Sequence, residues 1–131
     1  MDQFRIVGEN QMSVTFDSPA YREDGYLSSY KLSIKAHWHS SSIEAENSEY
    51  QDDPVNFFTE LSEKWKGWEG IIDWQGDNVF LSAKSDNTGH VLLKVNIQTG
   101  FHPPNWSSEI VLKLEAGQLD SIARSARSFF S

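Results

Sequence analysis

There is no cysteine in this chain of 131 residues, which excludes thiolate catalysis, thiolate metal binding and the cross-linked framework of a small secreted domain. Nor is there a long apolar run. No stretch approaches the ~20 apolar residues that a membrane span requires, and Met1-Asp2-Gln3-Phe4-Arg5 does not open a basic-then-apolar export signal. These absences predict a cytoplasmic product. Basic side chains are scarce: 11 Lys and Arg stand against 19 Asp and Glu, for a formal net charge of −8 spread along the chain. Such a surface repels nucleic acid and anionic membranes, because phosphate binding draws on Lys and Arg that displace counterions. It attracts a cationic partner, although an acidic excess also serves simply to keep a small domain soluble. Missing too are the GxGxxG, Walker-type, GxSxG and HExxH signatures, and the eight glycines are scattered at turn-like positions. The reading is therefore of a protein without cofactor and without catalysis.

What is present is alternation. A strand sends successive side chains to opposite faces. In Tyr30 to His39 this places Tyr30, Leu32, Ile34, Ala36 and Trp38 on one face and Lys31, Ser33, Lys35, His37 and His39 on the other. The same rule turns Val91, Leu93, Val95 and Ile97 inward on a strand from near His90, and Ile110, Leu112 and Leu114 inward on one from near Trp106. Weaker strands are Phe4 to Val7, Met12 to Phe16, Ser42 to Asn47, Ile71 to Trp74 and Val79 to Ala83. Gly8-Glu9-Asn10 and Ser85 to Gly89 supply tight turns, which imply antiparallel pairing. Asp17 to Gly25 and Gly100 to Asn105 read as surface loops.

Two segments change to the helical period. Asp52 or Asp53 caps the first, Pro54 suits its opening position, and Val55, Phe58, Leu61 and Trp65 recur at spacings of three and four, with Phe57 widening the stripe and Gly67 ending it. The second starts around Ala116 to Leu119 and runs to the C-terminus, with Leu119, Ile122, Ala123, Ala126, Phe129 and Phe130 on one side. Length and pattern predict one α+β domain over 1–131: a curved antiparallel sheet of about eight strands with two amphipathic helices packed on one face.

Candidate chemistry is thin. His37 and His39, two apart on a strand, project the same way and could share a metal ion if Glu44 or Glu46 on a neighbouring strand closed the shell. The competing explanation is a solvent-facing histidine pair, and His90 and His102 read as structural. Asp52 and Asp53 are explained as helix caps, Glu44 and Glu46 as the wet face of a strand, and Asp73 with Asp77 is a nominal carboxylate pair. Five tryptophans leave open a small-molecule or carbohydrate site built on Trp38, Trp68, Trp74 or Trp106. The alternative is that Trp65 and Trp74 bury into the core.

Phe57-Phe58, Leu61, Trp65-Lys66-Gly67-Trp68-Glu69-Gly70 and Trp74, then Leu81-Ser82-Ala83, Asp86 and Gly89-His90-Val91, and finally Leu112 to Ala123, carry a resemblance. From about Ser28 to Phe130 the chain resembles a family of small acidic bacterial domains of unknown function, similar to the WapI-like immunity proteins. That resemblance implies a cytoplasmic protein that binds and neutralises the toxin domain of a contact-dependent toxin, and it brings no catalytic residues with it. The expected function is a non-catalytic protein-binding domain for a cationic protein, with Glu44, Glu46, Glu49, Asp52, Asp53 and Trp68 as its contact residues. A ligand-binding domain using surface tryptophans and a metal-dependent enzyme using His37 and His39 are the alternatives. Oligomeric state stays open.

Overall fold

The computed structural model describes residues 2–86, 88–100, 103 and 105–130. His102 and part of the Gly100 to Asn105 loop lie outside the described residues. Among the described residues the fold is α+β, with eight strands and two α-helices. The strands divide into two four-stranded antiparallel sheets, each a simple meander. The first contains β1 (Gln3–Val7), β2 (Ser13–Tyr21), β3 (Leu27–Ala36) and β4 (His39–Glu46). Then α1 (Pro54–Glu63) leads to the second sheet of β5 (Ile71–Gln75), β6 (Val79–Ser85), β7 (His90–Gln98) and β8 (Ser107–Glu115), and α2 (Leu119–Phe130) closes the chain.

Strand periodicity sorts the core as the residues require. Phe4, Ile6, Val14, Phe16, Tyr30, Leu32 and Ile34 are buried on the inner face of the first sheet, and Val91, Leu93, Val95, Ile97, Ile110, Leu112 and Leu114 on that of the second. The helices cover the aromatic face of the first sheet. Phe58 of α1 meets the rings of Phe4 and Phe16 edge-on, and Phe129 of α2 meets Phe16 and Tyr30. Quadrupole-favoured edge contacts of this kind add to the area that the rings bury. α1 begins where Asp53 Oδ1 accepts the Val55 N–H at 2.9 Å, with Pro54 in the first turn.

One end of the first sheet rests along β8. At the β1–β2 turn a Cβ on Gly8 would lie 3.0 Å from Leu112 Cβ, so the absence of a side chain there lets the turn approach β8 closely. At the β3–β4 turn His39 Nε2 lies 2.7 Å from the Ser108 hydroxyl. Gln118 Nε2 donates to the Val7 carbonyl at 3.1 Å, tying the turn before α2 to the end of β1.

Four expectations need correction. The strand from Tyr30 does not reach His39: Ala36 pairs with His39, and His37-Trp38 form the two-residue reversal between them. Trp38 is therefore not inward but 92% exposed. The segment from Asp17 is not a loop throughout, because β2 continues to Tyr21 through register irregularities between Asp17, Ala20 and Tyr21. Pro19, which lacks an N–H for the ladder, is accommodated at that irregularity. Finally, α1 ends at Glu63, and Trp65 leaves the apolar stripe, 55% exposed, whereas Trp74 is buried.

Candidate functional site

The acids singled out from the sequence gather around the connection from β4 to α1. Glu46 ends β4, Glu49 follows in a turn, and Asp52 and Asp53 lead into the helix. From Ala36 to Glu63 the chain carries no lysine or arginine but has Glu44, Glu46, Glu49, Asp52, Asp53, Glu60 and Glu63. Folding adds Asp77, from the β5–β6 turn, to this group. Glu46, Glu49, Tyr50 and Asp77 line a shallow concavity of about 230 Å³. Glu49, Gln51 and Asp53 border a second of about 210 Å³ that reaches Phe130. Tyr50 stands among them with 93% of its surface exposed.

Hydrogen bonds fix this loop. Asn47 Nδ2 donates to the Leu27 carbonyl at 3.0 Å, and the Tyr26 hydroxyl donates to the Asn47 carbonyl at 2.9 Å. Gln51 Nε2 donates to Asp77 Oδ1 at 2.7 Å, and buried Trp74 donates its indole N–H to the Asp52 carbonyl at 2.7 Å. Asn56 Nδ2 donates to Asp52 Oδ1 at 3.0 Å. Arg22 is the cation at its rim, 2.7 Å from Asp24 and 3.3 Å from Glu49, with its guanidinium 4.5 Å from the centre of the Tyr26 ring. Its hydrogen bond holds the Asp24 carboxyl below the ordinary carboxylate value. These are exposed pairs, which contribute little to stability and leave the loop's negative field largely uncompensated.

Two candidates stand apart from that group. Glu44 lies on the outward face of the first sheet in register with Lys31. Trp68 follows the far end of α1, half-buried against the core, with its indole N–H enclosed and without a partner among the described residues. Sequence reasoning missed Tyr50, which lies within the acidic run, and named Asp77 only as a nominal pair with Asp73; the tertiary fold brings Asp77 to this group.

The shared metal site weighed as an alternative for His37 and His39, with Glu44 or Glu46 on a neighbouring strand, does not match the geometry. His37 lies in the hairpin reversal with its ring 4.5 Å from that of Trp38, and His39 Nε2 is engaged by Ser41 and Ser108. Glu44 and Glu46 lie on the same strand as His39, five and seven residues on, so roughly 17 Å or more separates them. The structure instead brings His90, read from sequence as structural, together with Glu9 and Glu115. His90 Nδ1 lies 3.3 Å from Asp86 Oδ2 and Nε2 lies 3.2 Å from Glu115 Oε1. Hydrogen bonds from Thr88 hold the Asp86 carboxyl down at about 2.

No described helix is long and apolar enough to cross a membrane. No curated protein and no solved structure matches the chain. Residues 5–131, including the N-terminal strands ahead of Ser28, match the model of the family of unknown function DUF6228, and the chain belongs to that family.

Proposed function

We propose that this chain is a non-catalytic protein-binding domain whose β4–α1 connection takes a cationic protein, and that the partner is a bacterial toxin domain for which the chain is the immunity protein. The observation that carries the reading is the concentration of Glu46, Glu49, Asp52, Asp53 and Asp77 around exposed Tyr50. Acids in excess of the Arg22 charge beside Glu49 steer a basic partner into encounter, and an exposed aromatic among them supplies contact area once it docks. Asp53 caps a helix, and Asp52 and Asp77 hold neighbouring amides, so these acids serve as fixed surface charge rather than as an acid–base pair. A cytoplasmic setting and a toxin as partner follow from the resemblance to the WapI-like immunity proteins.

The test is co-expression with the protein encoded by the neighbouring gene. Rescue of growth and co-purification of a complex, both abolished by Glu46→Lys with Glu49→Lys, is the expected result. Rescue that survives this double reversal places the contact elsewhere, and the absence of both rescue and complex removes the immunity role.

A further inference from the structure

We propose that Glu9, His90 and Glu115 bind a divalent transition-metal ion of the zinc class, with Asp86 orienting the imidazole. One ligand atom from each of the three lies within 4.8 Å of the others. They come from separate parts of the chain: the 3-10 turn after β1, the first residue of β7 and the last of β8.

Those segments are bonded to one another. The Ala116 N–H donates to the Gly89 carbonyl at 2.9 Å, which ties the residue after Glu115 to the residue before His90. Gln118 accepts the Glu115 N–H at 2.8 Å while donating to the Val7 carbonyl at 3.1 Å. The ligands therefore meet on a frame held by hydrogen bonds, not on independent loops.

The imidazole carries the argument further. Both ring nitrogens face carboxylate oxygens, Nδ1 towards Asp86 at 3.3 Å and Nε2 towards Glu115 at 3.2 Å. A neutral imidazole has a single N–H. Asp86 is fixed by the backbone N–H groups of Thr88 at 2.8 Å and His90 at 3.2 Å, and both its Oδ2 and the Thr88 hydroxyl, 3.2 Å from Nδ1, can accept the proton there when Nε2 ligates a metal. In that tautomer the lone pair of Nε2 faces a Glu115 oxygen at 3.2 Å with Glu9 close by, a repulsion that a cation between them relieves. Among the described residues neither glutamate has a lysine or arginine within ion-pair distance. A ring proton on Nε2 answers the Glu115 contact alone, whereas a metal ion brings Glu9 and Glu115 to the imidazole together.

The donor set selects the ion. One imidazole and two carboxylates, with no thiolate, suit zinc better than calcium or magnesium, which take oxygen alone. A carboxylate behind the ligating histidine, as Asp86 stands here, is the usual outer partner of such a ligand. Zinc bonds of about 2.0–2.2 Å put ligand atoms roughly 3.3–3.5 Å apart, so from separations of at most 4.8 Å the exposed glutamates need close by up to about 1.5 Å. The site is independent of the proposed partner surface: Val7 and Ser40 mark one end of the first sheet and Glu46 the other, about 20 Å away along β4.

Zinc chloride titrated into chelator-stripped full-length protein near neutral pH, followed by calorimetry, tests the proposal, with NMR reporting the His90 ring. One saturable site per chain is expected, with the His90 ring resonances shifting as it fills. Both His90→Ala and the pair Glu9→Gln with Glu115→Gln should weaken binding by at least about tenfold. The pair His37→Ala with His39→Ala should leave it intact. Should His90→Ala not fold by circular dichroism, Glu9→Gln, on an exposed turn, carries the comparison. No saturable binding, binding unchanged by the glutamate substitutions, or binding lost with His37 and His39 overturns the assignment.

Discussion

Phe129→Ala removes a ring with no solvent exposure, where the two helices meet the first sheet. Its centroid lies 6.2 Å from Phe16, 6.1 Å from Tyr30 and 5.1 Å from Phe130, so three aromatic rings lose a partner when it goes. Truncating a buried phenylalanine costs about 3–5 kcal/mol, the cavity included. That is a large share of the ~5–15 kcal/mol by which a domain is stable. For a chain of this size each kcal/mol is about 3–5 °C in melting temperature, so the substitution should lower it by roughly 10–20 °C. Thermal unfolding followed by far-ultraviolet circular dichroism gives the answer directly. Phe130→Ala, at a ring only partly covered, should fall less, and a chain ending at Ser125, which also loses buried Ala126, should show no cooperative transition. A Phe129→Ala protein that melts within about 2 °C of the parent would refute the placement of α2 on the sheet.

Asp53→Ala deletes the cap of α1 and should cost about 1 kcal/mol in urea titration. Gly76→Ala would set a Cβ 2.7 Å from Cη2 of Trp74, whose ring is buried and held by Asp52, so a loss of about 1–3 kcal/mol is expected by the same assay. Burial raises the Tyr30 phenol above its ordinary value. The unfolded chain then ionises first, so stability is complete below about pH 10 and falls as pH rises beyond it. Tyr30→Phe should flatten that alkaline decline, measured as melting temperature against pH.

The strand interiors were legible because alternation is a local property. Tyr30, Leu32 and Ile34, then Val91, Leu93, Val95 and Ile97, and Ile110, Leu112 and Leu114 all face inward as their period requires. The reversal at His37-Trp38 was not, since it contains no glycine, asparagine or proline, and Ala36 and Trp38 continue the alternation straight through the turn. Division of the strands into two sheets is equally invisible, because no local pattern says that β4 and β5 do not pair. The helix caps and aromatic stripes were readable, yet Trp65 kept the helical spacing after the backbone had left the helix. The acidic loop was visible as charge along the chain. The convergence of Glu9, His90 and Glu115 was not, because it depends on which strand ends the fold brings to one place.

The association rate between this chain and its neighbouring-gene product, measured by stopped-flow over a range of ionic strength, bears most directly on the acidic loop as a docking surface. Steering by Glu46, Glu49, Asp52, Asp53 and Asp77 should give a rate that falls steeply with added salt, and Glu46→Lys with Glu49→Lys should lower it by about tenfold or more at low salt. A rate indifferent to salt and to both reversals would contradict it.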